Sequence, residues 1–285
     1  MAAGYCLATA ACGRSGKAIV VGSENTTEQI VVGEIVAQHL EHRLHRKIGR
    51  RLGLGDEPIL YQALLSGDAT LYPDYPEAIA TSILKVQPDT DAAVVLERAK
   101  NELRRTAQLE LLDPLGYESS PVVVVKTANA NSAKVRSLSD AEAGTLQWKL
   151  GVSYQFQQRP DGLPALNIYR IPMSQSIRGM EMASLFPALE SDQVTMIVAS
   201  AADGHLHSGD FTVLADDRHA LPKYQASLVV RADALAAEPR LRLVLAELAG
   251  RLSTETVRSL NAAVEVDHRK PADVASEFLR QSGLN

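Results

Sequence analysis

Two short polar loops, each between a short apolar run and a helical pattern, constrain the fold of this chain more than any other feature. The first loop, GSENTTEQ at residues 22–29, follows the apolar run 18–21, and the second, LYPDY at residues 71–75, overlaps the run 69–71. This order is typical of a βα unit, in which the loop lies at the carboxyl end of a parallel strand, where open α/β sheets bind ligands. The sequence therefore predicts an α/β fold with a ligand site at these loops.

The first loop also predicts how the following helix begins. We expect Asn25 to cap the helix, with Glu28 as its partner at the third helical position. The free backbone N–H groups of the first turn would then point at a small polar or anionic ligand, with Ser23 and Thr26 beside it. An ordinary capped helix without a ligand is the alternative for either loop alone.

Short β-rich runs alternate with longer amphipathic patterns along the rest of the chain, which supports an α/β fold. Strands are expected at 18–22, 69–72, 121–126, 149–153, 194–199 and 225–231. Helices are expected at about 26–44, 58–66, 76–86, 90–112, 160–169, 174–189, 239–250, 253–263 and 271–282.

Charge and composition exclude several classes of function. The chain has 29 basic and 34 acidic residues and a pI of about 5.8, so it has no general attraction for nucleic acid or anionic membranes. No apolar run approaches the roughly 20 residues that a membrane-spanning helix needs. Only 5% of the residues are aromatic, so an aromatic pocket would draw on few side chains. The length of 285 residues is enough for two lobes, each with a core.

The amino-terminal segment predicts a processing signal. Both cysteines, Cys6 and Cys12, lie in it, and residues 2–13 are small, apolar and uncharged, as at the end of a secretory signal. The sequence TAAC ending at Cys12 is similar to an imperfect bacterial lipobox. We expect residues 1–17 to be a signal or lipoprotein remnant, with Cys12 as the site of any lipid anchor, or else a disordered segment.

Further blocks along the chain accompany the two loops, and together they resemble the substrate-binding proteins of osmoprotectant ABC transporters, which bind glycine betaine, carnitine and choline. The loops are similar to that family's G-S-K-N-F-T-E-Q and L-Y-P-E-Y-T-G-T motifs. Other similar blocks lie at 32–38, 62–68, 159–163, 202–204, 214–217 and 222–224. The blocks follow the family order over most of residues 18–280.

The resemblance implies a two-lobed periplasmic-binding-protein fold of class II, in which each lobe is a sheet flanked by helices and the chain crosses a hinge twice. Residues 18–121 and 225–285 would form lobe I, and residues 122–224 would form lobe II. A short internal similarity between 63–71 and 188–196 supports two similar lobes.

The function implied is that of an extracytoplasmic protein, periplasmic or lipid-anchored, which delivers a small solute to ABC permease subunits by lobe closure. The family default for the solute is a zwitterion or quaternary amine such as betaine or choline. No cofactor and no contact with nucleic acid are expected.

The aromatic cage by which that family holds a quaternary ammonium through cation–π attraction is depleted here. Tyr75 keeps its ring, but Thr26, Pro121 and Ser200 stand where the family has Phe or Tyr. The rings that could compensate in part are Tyr117, Phe156 and Tyr224. The alternative to betaine is therefore a more polar ligand, such as an amino acid or a modified amino-acid betaine.

Arg159 is the candidate for gripping a ligand carboxylate, because a guanidinium forms a bidentate pair with it and Asp161 could orient that guanidinium. A surface salt bridge is the alternative. Asp203 precedes Gly204 at the end of a strand and could accept a hydrogen bond from a ligand amine or cap the next turn.

Catalytic motifs are absent from the sequence: it has no P-loop, no G-x-S-x-G elbow and no G-x-G-x-x-G fingerprint, so no enzyme activity is expected. Histidines recur on one helix and again near residue 205, but no cysteine or carboxylate cluster accompanies them, which favours solvated histidines over a metal site. Their positions are His39, His42, His45, His205 and His207.

A third class is the ligand-sensing domain of a transcription regulator, which shares the two-lobed architecture. Such a protein needs a DNA-reading helical segment, and the residues before Lys17 are too few and too uncharged to form one.

Overall fold

A computed structural model describes residues 18–84 and 92–285. It contains two five-stranded sheets, each flanked by helices, which confirms the predicted α/β class. The expectations for residues 1–17, including Cys6 and Cys12, lie outside the described residues. Among those that are described, no helix is both long enough and apolar enough to cross a membrane.

The first sheet has the strand order β2-β1-β3-β10-β4. Its strands are β1 Val20–Glu24, β2 Gly49–Gly55, β3 Leu71–Asp74, β4 Leu109–Leu111 and β10 Ser227–Arg231. Strand β1 is parallel to β2 and β3, and β10 is antiparallel to β3 and β4.

The second sheet has the strand order β7-β6-β8-β5-β9. Its strands are β5 Pro121–Lys126, β6 Leu150–Ser153, β7 Arg178–Met180, β8 Met196–Ser200 and β9 Phe211–Leu214. Strand β6 is parallel to β7 and β8, and β5 is antiparallel to β8 and β9.

Helices follow most of the strands. Those of the first half are α1 Thr27–Leu44, α2 Glu57–Ser66, α3 Pro76–Ala78, α4 Ala92–Ala107, α5 Thr127–Ala133, α6 Leu138–Ala143 and α7 Tyr154–Gln158. Those of the second half are α8 Leu185–Glu190, α9 Ala232–Ala237, α10 Pro239–Ala246, α11 Thr254–Glu265 and α12 Pro271–Ser282. The described residues also form a π-helical turn, Ile79–Ile83, and the 3₁₀ turns Leu163–Ile168, Met182–Ser184 and Gly204–His207.

Each face of the first sheet packs in a separate hydrophobic core, because successive residues of a strand point to opposite faces. On one face Val21, Leu71 and Val230 pack against α1 and the carboxyl-terminal helices α10 and α12. On the other face Tyr72 and Val229 pack against α2 and α4. The second sheet is buried on both faces in the same way.

Two chain segments connect the sheets and run side by side in opposite directions. Ser119 N donates to Tyr224 O (2.9 Å), and Ala226 N donates to Tyr117 O (3.1 Å). Tyr224 N also donates to Ser120 Oγ (3.0 Å). The two crossings therefore form a short antiparallel ribbon between the sheets.

The predicted cap of α1 is wrong by one residue. Thr26 is the N-cap, with extended backbone angles, and its Oγ accepts from Gln29 N (3.3 Å). Asn25 instead donates its backbone N–H to Gly55 O at the end of β2 (3.1 Å). Glu28 is consequently not at the third helical position and is free for another role.

Two predicted helices are also corrected. The helix expected to reach residue 112 ends at Ala107, because Gln108 has a positive φ of 52° and residues 109–111 pair with β10. The helix expected from residue 174 begins only at Leu185, because residues 178–180 gain sheet hydrogen bonds from β6. Both are cases in which tertiary pairing overrides local helix propensity.

Candidate functional site

The two predicted loops lie side by side. Val21 of β1 pairs in parallel with Leu71 of β3, so the carboxyl ends of both strands meet at one edge of the first sheet. The ends carry Glu24 and Asp74, and Ser119 of one crossing segment bonds Glu28, which lies four residues after Glu24. Side chains from both sheets and from the crossings therefore converge there.

Glu28 is the centre of one buried network at this edge. The hydroxyl of Tyr75 donates to Glu28 Oε1, and Ser119 Oγ donates to Oε2 (2.6 Å). Ser119 Oγ also lies 2.9 Å from Ser200 Oγ at the end of β8. Burial raises the pKa of Glu28, and the hydrogen bonds from Ser119 and Tyr75 oppose that shift. The network joins α1, a crossing segment and the second sheet.

Arg159, Asp161 and Tyr224 form a second network, which contains the predicted Arg159–Asp161 pair. Arg159 Nε and Nη2 donate to the two Asp161 oxygens (2.9 and 3.0 Å), and Nη2 also donates to the Tyr224 hydroxyl (2.5 Å). The Tyr224 hydroxyl donates to Asp161 (2.7 Å). Burial opposes the charge of Arg159, but the bond with Asp161 raises its pKa above the usual value. The guanidinium is therefore charged and held in one orientation.

Aromatic rings connect the two networks. The guanidinium carbon of Arg159 lies 5.0 Å from the centroid of the Tyr224 ring. The Tyr224 ring lies 6.0 Å from the Tyr75 ring, at an interplanar angle of 36°. The two rings therefore lie together beside Arg159, and aromatic faces of this kind attract cations.

Carboxylates outnumber the basic groups around the site. Burial and the neighbouring Glu57, Glu28 and Asp56 raise the pKa of Glu24 to about 7, while Arg159 lowers it. Burial and the carboxylates of Glu57 and Glu24 raise the pKa of Asp74 well above its usual value. The first-sheet side of the site is therefore acidic.

Three further predicted site residues, Ser23, Tyr117 and Phe156, are buried. Ser23 is buried, and its Oγ accepts from Gly53 N (3.0 Å) and donates to Glu24 O (3.1 Å). Tyr117 is buried beneath Glu28, and Phe156 is buried in the core of the second sheet. The roles of these residues as ligand contacts remain predictions.

Asp203 caps the next turn, which is one of its two predicted roles, and it also takes part in a contact that the sequence did not reveal. It caps the turn Gly204–His207 through His205 N (3.0 Å), and it lies 2.9 Å from His205 Nδ1. Glu265 of α11 accepts from Gly204 N (3.1 Å) and is 3.7 Å from His205 Nδ1. A Cβ on Gly204 would lie 2.5 Å from Ala262 N, so this loop and α11 approach as closely as glycine permits.

The expectation that no carboxylate cluster accompanies the histidines is therefore wrong for His205. Ligand atoms of Asp203, His205 and Glu265 lie within 4.8 Å of one another, a spacing that could hold a metal ion. These atoms already bond one another and the backbone, so the contact is complete without an ion. His39 is also not solvated: it is fully buried, and its ring nitrogens lie 2.7 Å from Leu284 O and 3.0 Å from Val244 O.

We expect the stability of the unliganded protein to fall between pH 4.5 and 7. The pKa of Glu24 is raised from 4.5 to about 7, so in this range the folded protein holds a proton that the unfolded chain releases. The free energy of unfolding should drop by about 1–2 kcal/mol more in the parent than in Glu24→Gln. Urea unfolding at pH 5 and 8 measures this difference, with the exposed Glu181→Gln as a control. Parallel pH profiles of parent and Glu24→Gln would contradict it.

The chain belongs to the family of substrate-binding domains of ABC-type glycine betaine transport systems, which it matches over residues 17–281. This match confirms the family that the sequence motifs resemble. Its members are extracytoplasmic binding proteins that bind small solutes and pair with permease subunits, and they are not enzymes.

Individual relatives agree with this assignment. A glycine-betaine-binding protein of Pseudomonas aeruginosa is 28% identical, over 98% of this chain and 94% of its own length. An ergothioneine transport permease/ergothioneine binding protein of Helicobacter pylori is also 28% identical, over 94% of this chain. The chain spans 48% of that longer relative. The crystal structure of a glycine betaine/carnitine/choline ABC transporter superposes with a TM-score of 0.83 at 24% identity, covering 93% of this chain and 99% of that one.

Proposed function

We propose that this substrate-binding protein captures a small zwitterion between its two sheets and delivers it to an ABC permease. The observation that carries the proposal is that groups suited to an anion and groups suited to a cation both lie at the site. Arg159 offers a fixed cation for a ligand carboxylate, and the Tyr75–Tyr224 rings with the acidic edge of the first sheet suit a ligand cation.

Arg159 has donor capacity left for a ligand. Its bonds to Asp161 and Tyr224 use Nε and Nη2, and no hydrogen bond within residues 18–84 and 92–285 uses Nη1. Because Asp161 already fixes the plane of the guanidinium, a ligand carboxylate would meet a preorganised partner.

The ligand is proposed to be more polar than glycine betaine itself, such as an amino acid or a modified amino-acid betaine. Two rings are in place, whereas Thr26 caps α1 and Ser200 bonds Ser119, so neither position supplies an aromatic face. The proposal is supported by one relative that is named for ergothioneine binding.

Capture would proceed by closure of two lobes, residues 18–121 with 225–285 and residues 122–224. The way the strands divide between the two sheets supports this proposal, because β1 to β4 and β10 form one sheet and β5 to β9 form the other. Closure about the paired crossings would bury the ligand. A lipid anchor at Cys12 would keep the protein at the membrane beside its permease.

A thermal-shift screen over betaines, amino acids, amino-acid betaines and polyols tests this function. A ligand at 100 times its dissociation constant stabilises the folded state by about 2.7 kcal/mol, so the true class should raise the melting temperature. Calorimetric titration then gives its affinity. A screen in which only polyols, or none of the compounds, stabilise the protein would reject a zwitterion-binding function.

A further inference from the structure

Three buried polar side chains lie together on the face of the first sheet that α2 covers. Ser227 of β10 is directly opposite Asp74 of β3, and Tyr72 precedes Asp74 by two residues on the same face. Their exposed fractions are 0%, 2% and 1%. The Tyr72 hydroxyl is near the Asp74 carboxylate. Within the described parts of the chain, however, Ser227 Oγ, Asp74 Oδ2 and the Tyr72 hydroxyl have no hydrogen bond of ordinary geometry.

Two more carboxylates border this group. Glu24 ends β1 and Asp74 ends β3, and these strands are parallel neighbours, so both carboxylates lie at the same edge of the sheet. Glu57 begins α2 above them, and Glu57 and Glu24 both act electrostatically on Asp74. Glu24 is partly exposed, whereas Asp74 is buried, so Glu24 is the carboxylate of the group that a ligand would meet first.

The positive charge near these carboxylates is already engaged. Arg159 is the basic group that acts on Glu24, and its guanidinium is bound to Asp161. Buried carboxylates need compensation by a cation, and buried unpartnered oxygens need hydrogen-bond donors. A fully methylated ammonium supplies charge but no donor, whereas a protonated amine supplies both.

A metal ion fits the group less well than an amine does. The carboxylates and histidines with metal-ligand spacing in the described chain are Asp203, His205 and Glu265, at the contact with α11. The oxygens of Glu24, Glu57 and Asp74 are not gathered to that spacing. The oxygens of Glu24 and Asp74 could accept separate hydrogen bonds from a larger cation.

We propose that Glu24, Asp74, Tyr72 and Ser227 form a subsite for a ligand cation that keeps at least one N–H group. This inference rests on the proposed zwitterion-binding function and deepens it, because it names the class of cation. The family's aromatic cage selects fully methylated nitrogen, and this subsite selects nitrogen that still donates hydrogen bonds.

Two matched pairs of probes test the subsite by calorimetry at pH 7.5. Dimethylglycine differs from glycine betaine by N–H in place of one N–CH₃, and N,N-dimethylethanolamine differs from choline in the same way. The parent protein should bind the N–H member of each pair about 5- to 10-fold more tightly.

Ser227→Ala and Tyr72→Phe each remove one oxygen that forms no ordinary hydrogen bond in the described part of the chain, so both variants should fold. In each variant the preference for the N–H probe should fall to within about twofold, while the affinity for glycine betaine stays the same. Tyr61→Phe is the matched control, since Tyr61 packs against the same core cluster and should keep the full preference.

The outcomes separate the inference from the function on which it rests. If the parent protein binds both members of each pair equally well, the subsite is overturned, and this is the result expected if water fills it. The proposed function would remain intact. A preference that survives in both variants would place the N–H selection elsewhere and also overturn the subsite. If none of the four probes binds while an amino acid from the screen does, histidine and its trimethylated betaine replace them as the pair. Binding by no zwitterion would overturn both proposals.

Discussion

Glycine betaine and choline are expected to bind this protein with dissociation constants nearer millimolar than micromolar. Cation–π contacts contribute roughly 0.5–2 kcal/mol each when desolvated, and three ring positions of the family pattern are occupied by Thr26, Pro121 and Ser200. Their absence should cost about 1.5–6 kcal/mol, or on the order of 10 to 10⁴ in affinity. Isothermal titration calorimetry with the unmodified protein measures these constants.

Restoring one aromatic ring tests whether the missing rings are the cause of the weak binding. Ser200→Tyr places an aromatic side chain beside Ser119 and should tighten choline binding by about 3- to 30-fold. Ser208→Tyr, at an exposed position after the turn at Gly204–His207, should leave choline binding unchanged. Submicromolar betaine binding by the parent protein would refute the expectation.

Arg159→Met should weaken the binding of a carboxylate-bearing ligand by roughly 10- to 150-fold. The substitution removes a charge-assisted hydrogen bond, which contributes about 1.5–3 kcal/mol, and keeps most of the apolar stem. An analogue of the same ligand without the carboxylate should lose much less. Calorimetry of both ligands with the parent and the variant gives the comparison.

Arg218→Met is the matched control for this experiment. The Arg218 guanidinium lies 4.9 Å from the centroid of the Tyr169 ring and bonds Glu142. Arg159 has the same kind of partners, a tyrosine ring at 5.0 Å and a carboxylate. Arg218, however, belongs to neither network of the site. Ligand affinity should be the same in Arg218→Met as in the parent. If Arg159→Met also leaves both affinities unchanged, Arg159 is a structural ion pair and the clamp is rejected.

Much of the first sheet was predictable because its signals are local. Apolar runs bounded by polar loops identified β1 and β3, and periodic apolar residues identified α1. Strand β2, Gly49–Gly55, was missed because its three glycines and two arginines give it almost no β propensity. It forms at the sheet edge because its backbone pairs with β1.

The site was harder to predict than the fold, since its contacts join distant parts of the chain. Arg159 and Asp161 are two residues apart, and their pairing followed from the sequence. Glu28 was assigned to helix capping, but its partners Tyr75 and Ser119 are 47 and 91 residues away. A single sequence carries no sign of such convergence, which depends on the order of strands and the path of the crossings.

The antiparallel ribbon of crossing segments carries two of the site's own side chains. Ser119 reaches Glu28 from one strand of the ribbon, and Tyr224 reaches Arg159 from the other. A hydrogen-bonded two-stranded ribbon bends as one piece, so any change in the angle between the sheets moves both side chains together. If the lobes close about this ribbon as proposed, a molecule that touches Tyr224 or Ser119 would act on the hinge itself, and no intermediate residues would be needed to couple its binding to closure.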